Sequence, residues 1–219
     1  MPLRPYGPGL RLALPALMLV TDRHLAGGTD PLIAAVEAAV DGGANAVQLR
    51  EKDMRSEELL SLARRLRDVT AGRAALLING PLEVALAVDA DGVHLSETSV
   101  TPERPNRPWI MGRSVHSQEA AERAWAECSD YLIAGPVYET ASHPGMAPSG
   151  PDLIKTITRA VALPVLAIGG ITAGRLEEVI RAGAAGVAVI SAVLGSGSPR
   201  DATQQLRSAL DRAFATARL

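Results

Sequence analysis

A chain of 219 residues, 47% of them hydrophobic, is long enough to bury one substantial core. Only 3% are aromatic, so that core is aliphatic, as in α/β proteins whose parallel strands are covered on both faces. The net charge of -2 creates no field favouring nucleic acid, and the lone Cys128 excludes an intrachain disulfide and fits a reducing, cytoplasmic setting.

The N-terminal stretch LRLALPALMLV is too short to span a bilayer, and TDRH follows it where a signal peptide needs small residues. Residues 1–16 are therefore expected to form an extension, and 17–219 a single domain with no membrane association. Short aliphatic runs then alternate with longer stretches of helical period. The runs are LMLVT (17–21), AVQLR (46–50), ALLIN (75–79), GVHL (92–95), IMGRSV (110–115), DYLIAG (130–135), PVLAIG (164–169) and GVAVIS (186–191). Between them, DPLIAAVEAAVDGG opens on Asp30 as the expected N-cap and closes on Gly42 and Gly43. SEELLSLARRLRDVTAG and AGRLEEVIRAGAAG repeat the theme. Eight strand–helix units predict a (β/α)8 TIM barrel. A doubly wound open sheet is the rival, but no glycine fingerprint follows the first strand.

In such a barrel, chemistry gathers at the C-terminal ends of the strands. On strand two, alternation puts Gln48, Arg50 and Lys52 on the inner face, with Val47 and Leu49 toward the helices. Unpaired buried cations are costly, so this wall predicts an anionic ligand. Lys52 and Lys155 are the only lysines among 22 basic residues, which singles out Lys52 further. Asn79 ends strand three, where it either bonds a ligand or caps the next turn. His94 points inward and is expected to be a packed, hydrogen-bonded core histidine.

Ser114 and His116 share the inner face of strand five, with His116 at the mouth. A histidine there predicts acid/base work; the rival reading is a loop residue beside Ser117, the expected cap of the next helix. The loop after strand six, beginning at Thr140, is of the kind that closes over a substrate, or else a passive surface loop. Gly169 and Gly170 after strand seven, with Ile190 and Ser191 after strand eight, predict a phosphate cradle. Together these residues describe a barrel enzyme for a small phosphorylated molecule.

VQLREK, DGVHL, GPVYET, PVLAIGGI and AGAAGVAVISAV, in consistent order from about residue 17 to 195, resemble the thiamine phosphate synthase superfamily. That resemblance implies one of two branches. The synthase branch joins hydroxymethylpyrimidine diphosphate to a thiazole phosphate with magnesium; the thiazole tautomerase (TenI) branch aromatises a carboxythiazole phosphate without a metal. The synthase pattern places a magnesium-binding Asp after the strand-three Asn and another after the VHL motif. Here those positions are Gly80 and Ser99, with Glu97 the only nearby acid. It also places a lysine in the strand-six loop, where His143 stands.

MGRSVHS and INGPLEVA resemble the tautomerase branch, and imply that His116 is its proton-transfer residue. The expectation is therefore an isomerase of thiamin biosynthesis that needs no cofactor and has a thiazole phosphate as its small-molecule partner. The phosphate is expected at Gly169, Gly170, Ile190 and Ser191. Gln48, Arg50, Lys52, Asn79, Ser114 and Thr140 are the expected substrate contacts, with the strand-two basic pair on the carboxylate. The alternatives are a magnesium-dependent synthase and a non-catalytic regulatory barrel. Oligomeric state is left open, homo-oligomers included.

Overall fold

A computed structural model describes residues 12–140, 145 and 147–217. Arg4 and Arg11 of the expected extension, and His143, lie outside the described residues. The strands are β1 (Ala16–Val20), β2 (Ala46–Leu49), β3 (Ala75–Ile78), β4 (Gly92–Leu95), β5 (Ile110–Val115), β6 (Tyr131–Ala134), β7 (Val165–Ile168) and β8 (Gly186–Val189). They are parallel and close into a barrel in chain order, so the open-sheet alternative is excluded. The expected strands fall in place: β4 and β5 match, β1 sits one residue earlier and takes Ala16 from the expected extension, and the others lose one residue at one or both ends, or two at the end of β8.

The helices are α1 (Arg23–Ala26), α2 (Thr29–Asp41), α3 (Ser56–Thr70), α4 (Leu82–Ala87), α5 (Gln118–Ala126), α6 (Gly150–Ala160), α7 (Leu176–Arg181), α8 (Ser191–Leu194) and α9 (Pro199–Thr216). In α3, Leu59, Leu62, Ala63, Leu66 and Thr70 are buried. Their three- and four-residue spacing makes the stripe that covers the sheet. Ser117 caps α5 as expected, its hydroxyl accepting from the Ala120 N–H at 3.2 Å.

Two expectations need correction. The N-cap of α2 is Gly28, and Asp30 lies inside the first turn. The chain turns into the helix through the Gly27–Gly28 pair, both at positive φ, and Asp30 there still favours the positive end of the helix dipole. The barrel also lacks one helix: β4 passes to β5 through an irregular connection, residues 96–109. The buried Arg113 holds that connection. Its guanidinium donates to the carbonyls of Ser96, Glu97 and Ser99, and to Thr101 Oγ1 and Glu127 Oε2, at 2.6–3.2 Å.

Register defines the interior. Val20 pairs with Gln48, Gln48 with Leu77, Leu77 with Gly92, His94 with Gly112, Gly112 with Tyr131 and Ser114 with Ile133. Residues paired across a ladder point to the same side, and alternate residues share a face. Gln48, His94, Ser114 and Tyr131 therefore all face inward. Among the described residues, no helix is long and apolar enough to cross a membrane.

Candidate active site at the C-terminal mouth of the barrel

On β2, Gln48 is buried and its Oε1 has no hydrogen-bond partner among the described residues. An unpaired buried carbonyl costs roughly 1–3 kcal/mol, so this atom calls for a donor. Arg50 follows half-buried; its backbone N–H donates to the buried Thr21 hydroxyl at 2.9 Å. No carboxylate among the described residues pairs with the Arg50 guanidinium, which leaves its charge available to an anion. Lys52 departs from the expectation. The strand ends at Leu49, so alternation no longer applies, and Lys52 sits exposed in the turn beyond.

That turn is fastened to α1 by residues the sequence reasoning missed. Arg23 donates to Asp53 at 2.6 and 2.7 Å and to Glu51 at 3.1 Å, and both Glu51 oxygens accept the Arg23 backbone N–H. The Arg23 hydrogen bonds, then His24, hold the Asp53 carboxyl well below its ordinary range. Their signal was the TDRH…REKD acids and bases, which gain meaning only once β1 and β2 are neighbours.

Asn79 Nδ2 donates to the His94 carbonyl at 2.9 Å, which ties the β3 end to β4. His94 is buried, as expected of a core histidine, between Tyr131 and Ser114. Desolvation, then the charges of Arg113 and Arg50, push its pKa down to about 3, so the ring is neutral. His116 lies exposed just beyond β5. Its backbone N–H donates to Glu97 Oε2 at 2.9 Å, and its Nδ1 lies 2.6 Å from the Gly135 carbonyl oxygen. A carbonyl only accepts, so Nδ1 carries a hydrogen and Nε2 is left for chemistry.

At the other side of the rim, Thr140, Gly169, Gly170, Ile190 and Ser191 line one small cleft. The structure thus unites the expected phosphate group with Thr140. Gly169 adopts φ +98°, and a Cβ there would meet Pro136 at 2.7 Å, so the close turn needs glycine. Arg175, another missed residue, fixes the cradle: it donates to the Gly170 carbonyl at 2.6 Å and lies over the Tyr138 ring at 4.4 Å. At the start of α8 the N–H groups of Val193 and Leu194 bond the Ile190 carbonyl, which leaves those of Ser191 and Ala192 to suit an anion.

The magnesium of the synthase branch can be tested against these donors. Gly80 offers no side chain, Ser99 Oγ bonds Ser96 Oγ at 2.6 Å, and Glu97 is engaged by His116 and lies 3.7 Å from Arg123. Among the described residues, no group of three or more Asp, Glu, His or Cys side chains could hold a metal. This donor set does not fit a carboxylate-held magnesium ion.

Comparison with known proteins bears on the reaction. A family model described as thiamine monophosphate synthase (TMP-TENI) matches residues 17–193. A putative thiamine-phosphate synthase of Geobacter sulfurreducens is 43% identical over 201 residues, 89% of this chain and 94% of that protein. A thiamine-phosphate synthase of Roseiflexus castenholzii is 42% identical over 194 residues, 86% of this chain and 85% of that one. Among solved structures, a thiamine phosphate pyrophosphorylase from Pyrococcus furiosus superposes with a TM-score of 0.79 at 35% identity, covering 91% of this chain and 96% of its own.

These relatives overturn the expectation of a thiazole tautomerase, and with it that of an isomerase: they are named as synthases, which are transferases. The physical reason for the error is specific. The branch rested on missing carboxylates at Gly80 and Ser99, a missing lysine in the strand-six loop, and the short motifs MGRSVHS and INGPLEVA; the first two bear on a metal ion and a diphosphate contact, and none of them fixes which bond the site makes.

Proposed function

The chain belongs to the thiamine monophosphate synthase (TMP-TENI) family, and from that membership we propose that it is a transferase of the thiamine-phosphate synthase type. It joins a pyrimidine carried as its diphosphate ester to a thiazole phosphate. The bond from the pyrimidine methylene carbon to the diphosphate oxygen breaks, and diphosphate leaves with the electron pair. The thiazole nitrogen forms the new bond to that carbon.

The observation that carries this reading is the pairing of two anion-receptive features at one rim. Among the described residues the Arg50 guanidinium, just beyond β2, stands without a carboxylate partner, and the glycine cradle opens at β7 and β8. The cradle takes the thiazole phosphate on Gly169, Gly170, Ile190 and Ser191, with Thr140 closing its side. Arg50 faces the diphosphate, and Gln48 and Asn79 line the pyrimidine end. His116, with Nδ1–H tied to Gly135, turns Nε2 to the leaving group. A preorganised donor such as Arg50 favours the charge that develops on departure.

The direct test is purified protein with hydroxymethylpyrimidine diphosphate and thiazole phosphate, followed by oxidation of any thiamine phosphate to its fluorescent product and a count of diphosphate released. Stoichiometric formation of both supports the reading. Neither product at any protein concentration removes it.

A further inference from the structure

The buried chain Tyr131–His94–Ser114 remains unexplained by packing alone. The Tyr131 hydroxyl lies 2.9 Å from His94 Nδ1, and His94 Nε2 lies 2.9 Å from Ser114 Oγ. Tyr131 is fully buried and its ring lies 5.6 Å from the imidazole, centre to centre. The sequence makes room for it. A Cβ on Gly112 would fall 2.0 Å from the Tyr131 ring, so glycine at 112 is what lets the phenol reach the histidine.

We propose that Tyr131, acting through His94, fixes the polarity of this chain so that Ser114 must donate its hydroxyl hydrogen into the barrel mouth, to a hydrogen-bond acceptor of the bound substrate. The argument starts at the buried end. A phenol has one hydrogen. Among the described residues the Tyr131 hydroxyl has only His94 Nδ1 within reach. Were Nδ1 to carry a hydrogen, the phenol hydrogen would have no acceptor, and a buried donor left unpaired is expensive. The phenol therefore donates and Nδ1 accepts.

A neutral imidazole has one N–H, which then sits on Nε2 and donates to Ser114 Oγ. The serine oxygen is thus an acceptor toward the core, and its own hydrogen has to point elsewhere. Ser114 is half-buried and inward-facing near the C-terminal end of β5, so the mouth is where that hydrogen goes. Tyr131 and His94 are positioning residues in this scheme; Ser114 is the one that touches the ligand.

The nitrogen spectrum of His94 in ligand-free protein, labelled with 15N in its histidines, tests the polarity directly. The expected result at neutral pH is a single tautomer with the hydrogen on Nε2. A hydrogen on Nδ1, or a mixture of tautomers, overturns the proposal, and the wild-type protein suffices, so a variant that fails to fold cannot obscure the answer. A second arm measures kinetics with hydroxymethylpyrimidine diphosphate and thiazole phosphate. Tyr131→Phe and Ser114→Ala are each expected to raise KM for one of the two substrates by roughly tenfold. The double variant is expected to be no worse than Ser114→Ala alone, because both remove the same donor. Additive losses overturn the coupling. The kinetic arm rests on the transferase reading, whereas the nitrogen shifts do not, so the two failures are separable.

Discussion

The Nδ1 atom of His116 lies 2.6 Å from the carbonyl oxygen of Gly135. The contact joins β5 to β6 and turns a rotatable side chain into one with a set orientation. Its backbone is held as well, by the Glu97 carboxylate. A ring so fixed at the rim presents the same nitrogen to every substrate that enters. His116→Ala is expected to lower kcat about 100-fold while KM changes less than about threefold. Steady-state kinetics on both substrates check this, and an unchanged kcat removes His116 from the reaction.

Arg50 has no carboxylate partner among the described residues. Arg50→Ala is expected to raise KM for the diphosphate substrate roughly 10- to 100-fold, the loss of one charge-assisted contact. Arg50→Lys is expected to recover part of it, since the charge returns without the guanidinium fork. Equal KM values for all three proteins would show that the diphosphate lies elsewhere.

Gly80 and Ser99 stand where the family pattern implies magnesium-binding acids, and Glu97 is occupied by His116. Magnesium titrated into ligand-free protein is accordingly expected to give no saturable heat below about millimolar concentration. Tight binding that disappears in Glu97→Gln would overturn this.

His94 yields a pH dependence of stability. Its folded pKa is depressed to about 3, chiefly by desolvation, against an ordinary value of 6.5. Between those values the unfolded chain binds a proton that the folded chain refuses. Stability contributed by the neutral ring is therefore complete above the unfolded pKa and declines as pH falls below it, with a limiting slope of about 1.4 kcal/mol per pH unit. Urea unfolding between pH 4.5 and 7 measures the slope. A His94→Gln protein should be flatter in that window, and the same slope in both proteins assigns the effect to other groups.

Much of this was legible in the sequence because each barrel element leaves a local trace. The β-branched runs with helical stretches between them gave the closed parallel barrel, and alternation put Gln48 and His94 inside. Alternation failed at Lys52, because it holds only while a strand lasts, and β2 ends at Leu49. The count of eight strand–helix units also implied a helix between β4 and β5, where the chain is held by Arg113 instead. Contacts between distant segments had no local signature. Arg23 with Asp53 and Tyr131 with His94 become visible only when strands far apart in sequence are neighbours. The reaction class was misjudged for another reason: two absent acids describe a missing ion site, and short motifs such as MGRSVHS do not say which bond is made.

Arg113 grips the β4–β5 connection mostly by its main-chain oxygens, while Arg104 and Arg107 within the stretch bond Asp130, Asp89 and nearby carbonyls. Substitution at Ser99 leaves the Arg113 grip in place, since the atom held there is the peptide oxygen. The side chain at 99 is thus open to exchange without loosening this stretch, whereas those at 104 and 107 are part of what fastens it.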